Sequence, residues 1–139
     1  MTAKEYLEEI QRFQIIIEQF KIEKASFEKM QTLKIANRST KNHCQLLIEE
    51  VNNKISEVFS EITIRIVQIQ SLGNPLYTDI LYQKYFLQKS IPEIADNLNY
   101  SLRHAFTLYS KALKAFESAY PTISNLPTMK GGDENESEY

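Results

Sequence analysis

The scarcity of helix-breaking residues constrains this chain more than any other feature. Its 139 residues include only three Gly and four Pro, and two of each fall within the last nineteen positions, from Pro121 onward. Proline removes a backbone donor and glycine adds backbone freedom, so both residues interrupt helices. Almost nothing before Tyr120 opposes a helix, and the sequence therefore predicts an all-α fold.

Two long amphipathic helices are predicted in the first half, over residues 2–33 and 43–72. In both, apolar residues recur at steps of three and four, with one position of the first stripe lost to Lys24, which places them on one face of a helix. The first stripe is Tyr6, Ile10, Phe13, Ile17, Phe20, Phe27 and Met30, and the second is Ile48, Val51, Ile55, Val58, Ile62, Ile66, Ile69 and Leu72. Polar residues 37–42 are predicted to connect the helices. A short connection favours a long antiparallel, coiled-coil-like hairpin over residues 1–73.

Some apolar residues lie off these stripes, among them Ile15, Ile16, Phe59 and Ile64. A two-helix hairpin leaves them without cover, which favours a homo-oligomer formed through the hairpin or docking on another protein. Packing against the C-terminal helices of the same chain is an equal alternative.

Gly73 and Pro75 end the second helix and mark a domain boundary, after which residues 74–120 carry three shorter helical patterns. Ser90 with Glu93 predicts a capping box at the start of the middle helix. Asn99 is suited to the left-handed turn that ends it, and Ser101 is suited to cap the third helix, over residues 102–117. A two-turn helix, a tight turn and a longer helix predict a helix-turn-helix domain.

The outward side of that third helix carries polar and basic residues, namely Arg103, His104, Thr107, Ser110, Lys111 and Lys114. Three of them are cations and none is a carboxylate, a composition that suits a DNA groove with base acceptors and flanking phosphates. An ordinary solvated helix face is the alternative interpretation of the same pattern.

Residues 80–86, 90–101 and 112–116 resemble region 4 of bacterial sigma factors, and resemble more closely the phage and mobile-element regulators of the RinA/ArpU type. The resemblance covers roughly residues 78–117 and depends on Glu-Ile-Ala in the second short helix, Tyr-Ser before the third and Ala-Leu late in the third. It implies a transcription regulator that binds double-stranded DNA sequence-specifically and often carries a coiled-coil N-terminal half. RNA polymerase is a candidate partner that the resemblance leaves open.

By this resemblance the third helix is the recognition helix, and the DNA-binding residues are Ser101, Arg103, His104, Thr107, Lys111 and Lys114. Arg103 and Thr107 would read base edges, while Lys111, Lys114 and the Ser101 cap would hold phosphates. Two positions depart from the family pattern. Ile91 stands where many relatives carry Trp, and Phe106 occupies an outward position that is usually polar or basic. Phe106 could touch a thymine methyl, but we expect it to pack on the hairpin.

The net charge of −2 is unevenly distributed. Residues 74–117 carry five Lys or Arg and four Asp or Glu, whereas residues 118–139 carry one and four. Residues 121–139 also contain little apolar surface, so we expect a disordered acidic tail there. The single cysteine and the absence of a signal-peptide or membrane-spanning pattern predict a cytoplasmic protein with no membrane partner.

No enzyme chemistry is predicted. His43 and Cys44 are adjacent, so on a helix their side chains point about 100° apart and cannot form a metal site alone. No phosphate-binding glycine loop is present, and we expect neither cofactor nor metal. The competing function is a helical adaptor that binds only protein, favoured by the near-neutral charge and by Phe106.

Overall fold

The computed structural model describes residues 1–128, and the remaining residues 129–139 lie outside the described part. Five α-helices follow one another along residues 1–128, with no strand among them: α1 (Ala3–Gln31), α2 (Arg38–Gln70), α3 (Pro75–Leu81), α4 (Ile91–Leu98) and α5 (Leu102–Ala119). A π-helical turn, Tyr82–Phe86, continues α3, and a 3-10 helix, Pro121–Asn125, follows α5. The predicted all-α class is confirmed.

The start of α2 differs from the prediction. The sequence predicts that residues 37–42 connect the two long helices, but α2 already begins at Arg38. The reason is a local cap: the side-chain oxygen of Asn37 accepts the Thr40 amide at 2.8 Å, and the Asn37 carbonyl accepts the Lys41 amide at 3.0 Å. The polar residues that suggested a loop therefore form the first turn of a helix, where such residues are common.

The chain divides into two compact units, which are described separately. The middle unit is Gln11–Arg65, and the C-terminal unit combines Met1–Ile10 with Ile66–Tyr139. The second unit takes in residues on both sides of Gly73, the position at which the sequence suggested a boundary.

In the middle unit, contacts join α1 and α2 in opposite sequence order. Gln31 donates to the Lys41 carbonyl at 3.1 Å near one end, and the Arg65 guanidinium lies 5.0 Å from the centre of the Phe13 ring near the other. Arg65 is only 5% exposed and pairs with Glu61 at 3.2 Å. The buried apolar residues of this unit are Phe13, Ile17, Cys44, Ile48, Val51 and Ile62.

The C-terminal unit is built around Phe116 of α5, which is fully buried. The Tyr6 ring lies 6.1 Å from the Phe116 ring, and the Tyr6 hydroxyl donates to the Gln68 side chain at 2.7 Å. Tyr120 adds a second ring 5.0 Å from Phe116 and donates to the Gln68 carbonyl at 3.0 Å. The first turns of α1 and the end of α2 are therefore part of the core that holds α5.

The expected disorder of residues 121–139 is wrong for its first part. Pro121–Asn125 form a 3-10 helix that buries Ile123 to 4% exposure, because this apolar side chain has the core of the unit to pack into. The acidic residues of the predicted tail lie outside the described residues. None of the helices within residues 1–128 combines the length and apolarity needed to cross a lipid bilayer.

Candidate nucleic-acid interface

The start of α4 is fixed by the capping box that the sequence predicts. The Ser90 hydroxyl accepts the Glu93 amide at 3.3 Å, and the Glu93 carboxylate accepts the Ser90 amide at 3.0 Å. Hydrogen bonds from the Ser90 backbone and side chain hold the pKa of the Glu93 carboxyl below its usual value. Two amides at the helix start, which would otherwise lack acceptors, are thereby satisfied.

The turn between α4 and α5 is equally well defined. Asn99 has φ 59° and ψ 39°, the left-handed conformation predicted for it, and the Tyr100 amide donates to the Ala95 carbonyl at 2.9 Å. Ser101 then caps α5 by accepting the His104 amide at 3.1 Å. These contacts set where α5 begins and which of its sides faces α4.

The inner side of α5 packs against α3 and α4. Its buried residues are Ala105, Leu108, Ala112 and Phe116. Two of the four are alanines, and such small side chains allow neighbouring helices to approach closely. Because a helix has 3.6 residues per turn, the positions between these buried residues lie on the outward side of α5.

Polar contacts behind α5 tie the supporting helices together. The Gln83 side chain, 8% exposed, donates to Asp79 at 3.0 Å and accepts from Asn97 at 3.1 Å, which joins the end of α3 to α4. The hydroxyls of Tyr85 and Tyr109 are hydrogen-bonded to each other, and burial raises the pKa of Tyr85. The base of α5 is thus held by satisfied polar groups as well as by apolar packing.

The outward side of α5 brings together five of the six predicted DNA-binding residues. They line one shallow, open depression of about 340 Å³: Ser101, Arg103, His104, Thr107 and Lys111. We call this set the cationic face. All five residues are exposed, and no carboxylate within residues 1–128 forms an ion pair with Arg103 or Lys111.

The sixth predicted residue, Lys114, lies elsewhere. It lines a separate groove with Ser110, Leu113 and Glu117 of α5 and with the start of α1, at Thr2, Ala3 and Lys4. The sequence placed Lys114 on the same outward side but contained no sign that the start of α1 would lie against this part of α5. The neighbouring carboxylate of Glu117 also makes this groove less cationic than the face formed by Arg103 and Lys111.

Tyr100, which is not among the predicted DNA-binding residues, contacts one member of the cationic face. Its ring stacks on the His104 ring with centroids 4.3 Å apart and an interplanar angle of 23°. Because Tyr100 lies in the turn and His104 in the first turn of α5, the stack restricts the orientation of the imidazole. Two aromatic residues four positions apart can stack on a helix, and this spacing is visible in the sequence. Because α5 is predicted to begin between them, the spacing alone does not predict the stack.

Phe106, expected to pack on the hairpin, leaves 48% of its surface exposed. Of the two residues considered for chemistry in the middle unit, Cys44 is buried at 2% exposure and His43 is exposed. Among residues 1–128, no three His, Cys, Asp or Glu side chains lie close enough together to hold a metal ion.

Comparisons of the chain with models of known protein families, with curated proteins and with solved structures find no match.

Proposed function

We propose that this chain is a sequence-specific double-stranded DNA-binding transcription regulator, in which α4 and α5 form a helix-turn-helix and α5 is the recognition helix. The observation that carries the proposal is the cationic face: Arg103, His104 and Lys111 are exposed together on one side of a helix, without carboxylate partners in residues 1–128. The resemblance to the RinA/ArpU-type regulators supports the same assignment.

The geometry of α5 suits a major groove. Arg103 and Thr107 are four residues apart, so they lie about 6 Å from each other along the helix, and Lys111 lies one turn further. Arginine near a helix start can reach the paired acceptors of a guanine, and a lysine further along can meet a phosphate. The cap at Ser101 adds the positive end of the helix dipole, which favours phosphate oxygens.

For the N-terminal half we propose an antiparallel hairpin of α1 and α2 that serves oligomerisation or docking. The contacts of Gln31 with Lys41 and of Arg65 with Phe13, in opposite sequence order, support the hairpin. Its exposed apolar side chains, such as Ile22 at 72% and Phe59 at 55%, support a role in association. A twofold oligomer would present two recognition helices to a symmetric operator.

The test is binding of labelled duplex by the double variant Arg103→Ala, Lys111→Ala. We expect binding to be abolished at moderate salt, because two cations that would neutralise phosphates or contact bases are removed while the buried side of α5 is unchanged. The dependence of log K on log salt should become shallower by about 0.9 for each phosphate that the variant no longer neutralises. Circular dichroism should show unchanged helix content.

A matched control is Arg38→Ala, Lys41→Ala, which removes the same two residue types from exposed positions at the start of α2. Its binding should stay within about threefold of the unmodified protein, since only general electrostatic attraction is reduced. Unchanged binding by the α5 variant, or equally weakened binding by both variants, would exclude α5 as the reading helix.

The exposed apolar side chains of the middle unit favour a second candidate, a helical adaptor that binds protein rather than DNA. Ile35, which is 91% exposed in the connection between α1 and α2, is an example. Salt distinguishes the two functions, because DNA affinity falls steeply with salt through counterion release and apolar protein contacts respond little.

A further inference from the structure

Within residues 1–128, Arg103 and Lys111 of the cationic face form no ion pair, and the sequence beyond residue 128 carries opposite charge. Residues 133–138 contain Asp133, Glu134, Glu136 and Glu138, with Lys130 as the one cation of the last eleven residues. We propose that this acidic segment occupies the cationic face of α5 when DNA is absent, so that segment and duplex compete for one surface. The regulatory meaning of this contact rests on the DNA-binding function proposed above.

The position at which the described chain ends supports this occupant. The Leu126 carbonyl lies 3.1 Å from the amino group of Met1. The next residues along α1, Thr2 and Ala3, line the groove that also contains Ser110 and Lys114 of α5. Leu126, two residues before the end of the described chain, therefore lies beside the start of α1, which borders the part of α5 that is one turn from Lys111.

The length of chain beyond that point is sufficient. Asp133 is seven residues after Leu126, so an extended segment can carry it up to about 24 Å, at about 3.5 Å per residue. Lys114 and Arg103 are eleven residues apart on a helix, which is about 17 Å. The face itself is shorter, since Arg103 and Lys111 are eight residues apart, about 12 Å along the helix. The length of the segment is therefore comparable with the length of the surface that it would cover.

Charge complementarity favours the contact. Arg103 and Lys111 have no ion-pair partner within residues 1–128, and the segment offers four carboxylates within six positions. Because the segment is covalently attached, its effective concentration at the face is in the millimolar range, which allows individually weak ion pairs to compete with an external ligand.

The first arm of the test needs no DNA. Amide spectra of the full chain are compared with those of a variant in which the carboxylates become amides: Asp133→Asn, Glu134→Gln, Glu136→Gln and Glu138→Gln. We expect amide shifts at Arg103, Thr107 and Lys111 of α5, because the charges facing them change. Shifts confined to the cations around the connection between α1 and α2, Lys34, Arg38 and Lys41, or no shifts within residues 1–128, would overturn the proposal.

The second arm measures affinity for a labelled duplex of random sequence. Neutralising the segment should tighten binding by about tenfold at about 50 mM salt, and by less than about twofold at about 300 mM, because salt screens the competing contact. The control carries the same change in net charge on exposed carboxylates of the middle unit: Glu23→Gln, Glu28→Gln, Glu50→Gln and Glu57→Gln.

The two arms separate this proposal from the proposed function. A tenfold gain in affinity for the segment variant, with less than twofold for the control, supports competition at the face. Equal gains in both variants, or none in either, would overturn it while leaving DNA binding by α5 intact. If no variant binds duplex but the α5 amides shift, the contact stands and the DNA-binding function fails.

Discussion

Replacement of Tyr6 tests whether the start of α1 is part of the unit that presents α5. Tyr6 is 6% exposed, its ring lies 6.1 Å from Phe116, and its hydroxyl donates to Gln68 at 2.7 Å. Tyr6→Ala removes a buried aromatic ring, and such truncations cost about 3–5 kcal/mol. Tyr6→Phe removes only the hydroxyl, and removal of a hydrogen bond of this kind costs about 0.5–1.5 kcal/mol.

The effect should be measured in α5, far from residue 6 in sequence. Hydrogen exchange at the Ala112 amide, on the buried side of α5, reports opening of the unit. Since about 1.4 kcal/mol corresponds to a factor of ten, Tyr6→Ala should accelerate this exchange by at least about a hundredfold. Tyr6→Phe should accelerate it by about two- to tenfold, and both variants should retain helix content at low temperature.

Unchanged exchange at Ala112 in Tyr6→Ala would refute the reasoning. That result would mean that residues 74–120 fold independently, with the boundary at Gly73 that the sequence suggests. The expected result instead implies that a fragment beginning at residue 74 unfolds, because its Phe116 would no longer be covered by Tyr6 and the end of α2. Circular dichroism of that fragment would provide the same answer by a second route.

Two further predictions concern the caps of α4. Asn99→Ala should lower the free energy of unfolding by about 1 kcal/mol, because alanine is disfavoured at the left-handed φ of 59°. Asn99→Gly should change the free energy of unfolding by only a few tenths of a kcal/mol, because glycine adopts this φ readily. Equal urea midpoints for the two variants would contradict this prediction. The pKa of the Glu93 carboxyl is lower in the folded protein than in the unfolded chain. Its carboxylate therefore stabilises the fold fully at pH values above the unfolded-state pKa, and this stabilisation is lost as the pH falls through the folded-state pKa. The stability difference between the unmodified protein and Glu93→Gln should therefore be present at neutral pH and vanish in acid, and a difference that is constant across pH in urea titrations would argue against it.

The features that the sequence predicted correctly are local. The capping box of Ser90 and Glu93, the left-handed Asn99 and the Ser101 cap each depend on residues within four positions of one another. A side chain that satisfies a nearby amide does so with little help from the rest of the fold. The same physics explains the error at α2, because Asn37 is also a capping residue and its neighbours belong to the helix that it begins.

The features that could not be predicted depend on tertiary packing. The π-helical turn at Tyr82–Phe86 leaves no distinct periodicity in the sequence. It adds one residue to a single turn, and this shift is smaller than the spacing of three or four residues between apolar positions of a helix. Ile123 stands alone as an apolar residue in a polar stretch, and its burial depends on the core of the unit, which the local sequence does not reveal. The separation of Lys114 from the cationic face required the start of α1 to lie against α5.

The residues of α5 that stabilise the fold and those proposed to bind DNA lie on opposite sides of the helix. Binding can therefore be tested with variants that leave the fold intact. Exposed charges contribute little to folding, so removing Arg103 and Lys111 should leave the packing of Phe116 undisturbed. Lys111 and Lys114 are three residues apart, a spacing at which like charges destabilise a helix by a few tenths of a kcal/mol. An anion at Lys111 relieves that repulsion, whether it is a phosphate of a duplex or a carboxylate of residues 133–138. Under the two proposals, this anion would come from the duplex when DNA is bound and from the same chain when DNA is absent.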